Sequence, residues 1–143
     1  LGPPAAGCGH IETAWYGAIG NGRAPGIGID PARPHEFAHD FAAIAASGAA
    51  LFEAGVACAL EQADSLDDFA AILPHQASGR IGAQLAHRLE QPESKFVVNA
   101  HRLGNTGSAA IWLSFDDWLT TAQDSNLLVL GAEASKFMFG GFV

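Results

Sequence analysis

The chain has 143 residues, 49% of them hydrophobic and 15% charged, and carries a formal net charge of −8 at pH 7. This length allows one domain with a buried core. The negative charge and the lack of a basic stripe argue against nucleic acid as a partner. No uninterrupted apolar stretch reaches the roughly 20 residues that span a bilayer, and the opening residues show no signal-peptide pattern. We therefore expect a cytoplasmic protein that does not bind membranes.

Glycine and proline turn signals dominate residues 1–34, where we predict a loop-rich opening segment with one strand between Ile11 and Ile19. Pro34 suits the first turn of a helix. Apolar residues at helical spacing follow it, so we predict a largely buried helix from Glu36 to about Gln62.

Apolar runs and periodic patterns alternate through the rest of the chain. They predict strands at 69–73, 96–99, 127–130 and 136–143, and helices at about 77–90 and 108–122. The resulting order, β-α-β-α-β-α-β-β, predicts an α/β domain built on a mostly parallel five-stranded sheet that helices cover.

The segment His35-Glu36-Phe37-Ala38-His39 matches the H-E-x-x-H pattern of zinc peptidases. On a helix the two histidines would share one face, and the glutamate could act as a general base. Glu53 or His10 could supply a third ligand. However, Pro34 places the motif in the opening turn of the predicted helix, and the Ala-rich residues beyond it offer no clear third ligand. We therefore expect no metal site and keep a zinc peptidase as a lesser alternative.

The two cysteines, Cys8 and Cys58, are too few and too far apart to predict a disulfide framework. A nucleophilic cysteine needs a helix N-terminus or a nearby cation to favour its thiolate. Cys58 lies near the end of the long predicted helix without a basic neighbour in sequence, so we interpret it as a small buried thiol. The chain therefore offers no evident nucleophile.

Two polar residues fall where a predicted strand gives way to a helix. His75 follows an apolar run in Pro74-His75-Gln76-Ala77, and Asn105 lies in the glycine-bounded turn Gly104-Asn105-Thr106. Such positions are where α/β folds build active sites, and both side chains can donate hydrogen bonds to a carbonyl oxygen that gains negative charge. Singly, each residue has a structural explanation, as a core histidine or as a turn asparagine. Together they favour a catalytic interpretation.

From about Phe41 onward the chain resembles the C-terminal half of β-ketoacyl-acyl carrier protein synthase III, a condensing enzyme of the thiolase fold. The matching residues are Ile72–Ala77 with Arg80-Ile81, and Arg102–Thr106 with Ser108-Ala-Ala, at matching spacing. Lys136–Gly140 is a weaker match to a glycine-rich turn of the family. The resemblance implies that residues 35–143 form a thiolase-like C-terminal half domain, mostly parallel in its sheet.

The resemblance also implies a reaction: a decarboxylative Claisen condensation of an acyl thioester with a malonyl-type extender on carrier protein or coenzyme A. In such enzymes a cysteine of the N-terminal half takes the acyl group. His75 and Asn105 match the two residues that hold the extender's thioester carbonyl while it loses carbon dioxide. No cofactor is implied beyond the coenzyme A or phosphopantetheine of the substrates.

Four further residues are implied to meet substrate or carrier protein. Arg80 matches a position at the mouth of the pantetheine tunnel, and Gln76 belongs to the same motif. His87 and Arg88 fall where the family has a basic pair for carrier-protein docking. Because carrier proteins are acidic, a chain of charge −8 needs such a local basic site. Arg88 could equally be a solvated helix residue.

The turn near the C-terminus departs from the family pattern. Ala134-Ser135-Lys136 stands in place of the glycine-rich turn, although backbone N–H groups at Ser135 and Lys136 could still form part of an oxyanion hole. Phe139 replaces the usual tryptophan. These departures suggest a specialised relative, for example one that acts in secondary metabolism.

The nucleophile-bearing half of the fold is not in this sequence, so we expect a large exposed apolar face. A second polypeptide with the cysteine should cover it, and a homodimer or heterotetramer of the completed fold is the expected assembly. Two more alternatives stay open. The protein could be a thiolase-fold acyltransferase without decarboxylation, or a non-catalytic partner subunit.

Overall fold

A computed structural model describes residues 10–20, 24, 26–29, 31–121, 125–134 and 136–143. Short 3₁₀ turns lie at Leu66–Asp68 and Glu93–Lys95. The helices and strands, in chain order, are β1 Ala14–Ala18, β2 Ile27–Ile29, β3 Phe37–His39, α1 Phe41–Ala59, β4 Ala71–Pro74, α2 Ile81–Arg88, α3 Ala100–Leu103, α4 Ala109–Leu119, β5 Leu127–Glu133 and β6 Met138–Phe142.

In this part of the chain, four strands form a mixed sheet in the order β1-β6-β5-β4, and β2 and β3 form a separate antiparallel hairpin. Only β4 and β5 run parallel; β6 is antiparallel to both β5 and β1. The parallel pair has the long helical connection that such a pair requires, whereas a short turn joins β5 to β6. The prediction of a mostly parallel five-stranded sheet is therefore wrong in strand number and direction.

The missing strand is the one predicted at 96–99. Phe96 forms only an isolated parallel bridge with Ile72, and the Val97 N–H donates to the Ile72 carbonyl at 2.9 Å. Beyond that point the backbone leaves the sheet, because the N–H groups of Asn99 and Ala100 donate to the Gln76 side chain instead. The side-chain oxygen of Gln76 thus accepts the hydrogen bonds that a neighbouring strand would otherwise accept.

The parallel pair β4–β5 is the centre of the core, and all four residues of β4 are buried. Alternate residues of the two strands face opposite sides of the sheet. Ile72, Leu128 and Leu130 pack against side chains of α1 and α2. Leu73 and Val129 face the other side, where Ile111 and Phe115 of α4 cover them. Burial on both faces holds the carboxyl end of β4 in a fixed position.

Helix α1 begins at Phe41 and not at Glu36, because the Asp40 carboxylate caps it by accepting the Ala43 N–H at 2.9 Å. The H-E-x-x-H segment therefore lies before the helix, with His39 paired to Ile27 in the β2–β3 hairpin. The His39 ring stacks on the Phe41 ring, with 5.3 Å between the ring centroids. Among the described residues no three or more His, Cys, Asp or Glu side chains cluster as metal ligands would. The expected placement of this motif on a helix is wrong, and the zinc alternative loses its geometric basis.

Only one side of α1 is covered. Phe41 at its start is 74% exposed. By length and composition alone α1 could also cross a membrane, a test that core helices of globular proteins pass as well. The buried residues of this helix, which pack toward the sheet, are Ser47, Leu51, Phe52, Gly55, Val56 and Ala59. The prediction that this helix is largely buried therefore holds for one face and fails for the other.

Candidate active site

His75 lies immediately after β4, at the carboxyl end of the buried strand. Its backbone N–H donates to the Leu130 carbonyl at 2.7 Å, and its own carbonyl accepts the Ala77 N–H at 2.8 Å. The first bond continues the parallel ladder by one residue, and the second turns the chain away from the sheet. The half-buried imidazole thus stands on a rigid support at the sheet edge.

Burial lowers the pKa of the His75 imidazole below its ordinary value of 6.5, while the negative charge of Glu133, at the end of β5, acts to raise it. The desolvation of the charged form is the larger effect. His75 is therefore neutral at pH 7, and a neutral imidazole has one N–H to donate and one nitrogen that accepts.

Asn105 lies in an exposed turn between α3 and α4. Gly104 and Gly107 on either side adopt φ values of 72° and 65°, a region that favours glycine. The Asn105 Oδ1 accepts the Gly107 N–H at 3.0 Å, which closes the turn. Within the described residues the Asn105 Nδ2 has no hydrogen-bond partner, so its N–H groups are available to an external acceptor.

Gln76 joins the two segments. Its Nε2 donates to the carbonyls of Pro74 and Val97 at 2.8 and 3.0 Å, and its Oε1 accepts the N–H groups of Asn99 and Ala100 at 2.9 and 3.2 Å. The side chain is fully buried. This corrects the expectation that Gln76 contacts substrate or carrier protein, because its amide is engaged inside the chain and does not reach the surface.

A second set of polar contacts continues from Asn99 to α4. The Asn99 Oδ1 lies 2.8 Å from the hydroxyl of buried Ser114, and its Nδ2 donates to Asp117 at 3.1 Å. The Arg102 guanidinium of α3 also donates to Asp117. Gln76, Asn99, Ser114, Asp117 and Arg102 form what we call the edge network. It links the residue after His75 to the helix before Asn105.

The same two segments also touch directly. A Cβ atom at Gly79 would lie 3.4 Å from the Cα and Cβ of His101, the second residue of α3. His75 and Asn105 do not hydrogen-bond each other within the described structure. The fold brings their segments together through the edge network and this close backbone approach, and not through the two side chains themselves.

The basic residues expected to meet ligand lie on or next to α2 and are exposed. Arg80 precedes the helix, and its guanidinium has no ion-pair partner among the described residues. Arg88 forms an ion pair with Glu53 of α1 at 2.7 Å, which occupies part of its charge. His87 is exposed beside it.

The C-terminal turn is described only in part. Ser135, expected in the oxyanion turn, lies outside the described residues. Lys136 is exposed, and the buried Phe137 after it adopts φ of 51°. Such a value is costly for a bulky side chain, which shows how tightly this turn joins β5 to β6.

Two cavities in the described structure are lined by neither His75 nor Asn105. A groove of 1270 Å³ lies at the opposite end of β4, between α1 and α4, and a smaller one of 490 Å³ borders the β2–β3 hairpin.

Sequence reasoning missed Asn99, Ser114 and Asp117. Two signals could have pointed to them. Asn99 is a polar residue at the end of the apolar run Phe96–Val98. Ser114 and Asp117 are spaced by three on a helix that is otherwise apolar except for Asp116, so they share one face.

Comparison with known families agrees with this architecture. The family model described as 3-oxoacyl-acyl-carrier-protein (ACP) synthase III C terminal matches residues 60–142. A β-ketoacyl-acyl-carrier-protein synthase III from Rubrobacter xylanophilus is 53% identical over 53 residues, which are 37% of this chain and 17% of that protein. One from Limosilactobacillus reuteri is 48% identical over 87 residues, which are 60% of this chain and 26% of that protein. The chain thus spans about a quarter or less of these relatives.

Solved structures share the fold. AbyA1, described as a tetronic acid condensing enzyme, superimposes with a TM-score of 0.85 at 27% identity, over 98% of this chain and 46% of that one. The 3-oxoacyl-(acyl carrier protein) synthase III of Pseudomonas aeruginosa gives a TM-score of 0.75 at 24% identity, over 92% and 43%. The resemblance found in the sequence is confirmed: the chain belongs to the 3-oxoacyl-acyl-carrier-protein synthase III family, with a thiolase-like α/β fold, and corresponds to its C-terminal region.

Proposed function

We propose that this chain is the enolate-stabilising half of a condensing enzyme, with His75 and Asn105 as the catalytic hydrogen-bond donors. The observation that carries the proposal is the edge network. It ties the residue after His75 to the helix before Asn105, while leaving a neutral imidazole and an unpartnered amide free to donate. Membership in the synthase family supports the choice of reaction.

The proposed reaction is a decarboxylative Claisen condensation. The bond between the carboxylate and the methylene carbon of a malonyl-type thioester breaks, carbon dioxide leaves, and the electron pair forms an enolate. His75 and Asn105 donate to the enolate oxygen, each worth about 3 kcal/mol in a site that excludes water. The enolate carbon then attacks an acyl thioester on a cysteine, the thiolate leaves, and a 3-oxoacyl thioester results.

The pKa of His75 supports its role as a donor. A protonated imidazole beside the extender's carboxylate would form an ion pair with it, and this would favour the substrate before carbon dioxide leaves. Burial keeps the ring neutral at pH 7. A neutral ring donates a hydrogen bond without competing as an acid for the enolate carbon.

The cysteine is proposed to come from a second polypeptide segment, which forms the N-terminal half. Cys58 is only partly exposed near the end of α1, and Cys8 lies outside the described residues. The uncovered side of α1 supports a partner there. Its residues that are exposed are mainly alanines, and a smooth apolar surface suits close helix packing. This set comprises Phe41, Ala42, Ala45, Ala46, Ala50, Glu53 and Ala57.

Acyl carrier protein or coenzyme A is the proposed carrier of the substrates. Arg80 supports this, because an exposed guanidinium beside the His75 turn suits a phosphate. His87 and Arg88 would add to an acidic partner's docking site. The completed fold is proposed to assemble as a homodimer or heterotetramer in the cytoplasm. The similarity to a tetronic acid condensing enzyme supports a role in secondary metabolism.

Release of carbon dioxide from a malonyl thioester tests the proposal, in the enzyme assembled with its cysteine-bearing segment. His75→Ala and Asn105→Ala should each lower the rate by about 10²–10³-fold. His35→Ala and Asn126→Ala, at exposed sites elsewhere, are the matched controls. Unchanged rates in the first pair would favour a non-catalytic partner subunit. Acyl transfer without carbon dioxide release from the unmodified protein would identify an acyltransferase.

A further inference from the structure

We propose that Asp117 of α4 is a positioning residue that fixes the location of Asn105. This inference rests on the proposed function for its catalytic consequence, but its structural part can be tested without it. Asp117 does not itself reach the substrate in this scheme. It acts on Asn105 through Arg102 and Asn99, which both donate to its carboxylate.

The turn that carries Asn105 has little support of its own. A Cβ atom built on Gly104 or on Gly107 would meet no atom of the described residues within 4 Å, so at these two positions the turn has no packing support from them. Inside the turn, the contact between the Asn105 Oδ1 and the Gly107 N–H is local and does not tie it to the sheet. The location of the turn must therefore be set at its two ends, α3 and α4.

Helix α3 is too short to hold a position by itself. It spans only Ala100–Leu103, and its first N–H donates to Gln76. Arg102 lies on this helix, one helical turn before Asn105, and its ion pair with Asp117 joins α3 to α4. The same carboxylate accepts from buried Asn99 at 3.1 Å. Asp117 thus holds both Asn99, just before α3, and Arg102, within α3, like a clamp.

The clamp sets the position of Asn105 relative to His75. The N–H of Asn99 donates to Gln76, which directly follows His75. His75 is held by its own backbone hydrogen bond to Leu130, so a displacement of α3 would move Asn105 and change the distance between the two donors. Misplacement by about 1 Å costs on the order of 10²-fold in rate, even when substrate affinity is kept.

Kinetics of the assembled enzyme test the catalytic part. Asp117→Ala should lower kcat for carbon dioxide release by about 10–10²-fold and leave KM for the malonyl thioester within about 3-fold. Asp117→Glu should recover part of the loss. Asp116→Ala, the exposed neighbour, is the matched control and should stay near the unmodified rate. In an Asn105→Ala background, Asp117→Ala should add little, because its effect passes through Asn105. Full additivity there would overturn the proposal.

Amide hydrogen exchange of this chain tests the structural part. Asp117→Ala should speed exchange at Gly107 by about 10-fold or more and leave the β4 and β5 amides unchanged. Arg102→Met should do the same, whereas Arg33→Met should not. Arg33 is matched to Arg102 because it too belongs to an exposed ion pair, with Glu36 at 2.7 Å.

The two measurements separate the possible failures. Unchanged exchange at Gly107 in both Asp117→Ala and Arg102→Met overturns the positioning role, whatever the kinetics are. Faster exchange, combined with an Asn105→Ala variant of full activity, supports the positioning role and rejects the proposed function of Asn105. Slower exchange in either variant also contradicts the proposal. If Asp117→Ala does not fold, Arg102→Met decides.

Discussion

Two histidine-bearing segments in this chain carry a pattern associated with catalysis, and they differ in the structure that supports them. His75 follows a strand whose residues are all buried, and Gln76 beside it makes four hydrogen bonds inside the chain. His35 and His39 lie in or before a short exposed hairpin. A motif needs a rigid element beneath it, because chemistry depends on fixed distances between side chains. The spacing of residues in a sequence motif does not by itself provide such an element.

Removal of Gln76 should give the largest effect on stability. Gln76→Ala leaves two N–H groups and two carbonyls without their partner in a buried site, and we expect a loss of about 3 kcal/mol or more. Urea unfolding measures it. Gln84→Ala, on the exposed side of α2, should change stability by less than about 0.5 kcal/mol. Similar values for the two variants would contradict the central place of Gln76.

A smaller loss is expected at the helix cap after the hairpin. Asp40→Ala removes the side chain that accepts the Ala43 N–H, and such a cap is worth about 1 kcal/mol. Thermal unfolding measures the loss, and Asp40→Asn should recover most of it because the amide oxygen still accepts. A loss as large as that of Gln76→Ala would mean that the cap contributes as much to stability as the edge network does.

The ionisation of His75 makes the stability of the folded chain depend on pH. The pKa of His75 is lower in the folded chain than its ordinary value of 6.5, so the unfolded chain binds more protons between the two values. Stability from this residue is therefore complete above about pH 6.5 and is lost as pH falls toward the folded pKa. Unfolding at a series of pH values should show this loss in the unmodified chain and not in His75→Gln.

Glu133→Gln should lower the pKa of His75 further, because it removes the charge that raises it. NMR titration of the His75 ring measures the shift, and the acid limit of carbon dioxide release should move to lower pH with it. Glu61→Gln, at an exposed residue just after α1, is the control. A rise in the pKa of His75 on removal of Glu133 would contradict the assignment of its cause.

The smallest expected effect is at the H-E-x-x-H segment. Since this segment is not helical, Zn²⁺ should not raise the unfolding temperature of the chain, and His35→Ala with His39→Ala should not change that result. Calorimetry with and without the metal measures it. Stabilisation by Zn²⁺ that disappears in the double variant would restore the metal-binding interpretation.

Much of the element order was accessible from local patterns. Helices predicted at 77–90 and 108–122 appear as α2 and α4, and the strands around Ile72 and Leu128 are present. Errors fell where a polar side chain competes with the backbone. Asp40 moved the start of α1, and Gln76 turned the strand predicted at 96–99 into a single bridge. Neither effect can be read from hydrophobic periodicity. The first depends on a single capping residue, and the second on a contact between residues far apart in the chain.

The candidate site could be predicted from the sequence only in part, for the same reason. His75 and Asn105 stand beside strong local signals, an apolar run that ends and a pair of turn glycines. The edge network that links their segments was not predicted. Gln76 was wrongly expected to bind ligand, since its burial depends on the fold and not on its neighbours in sequence.

The sequence by itself determined the family, most of the helical and extended segments and the two candidate donors, since these follow from local periodicity and from short motifs at a given spacing. Only the tertiary structure decided that the sheet is mixed, that the H-E-x-x-H segment has no rigid base and that α1 has one uncovered face. Strand direction, burial and side-chain partners arise from contacts between distant segments. Those contacts form only when the chain has folded.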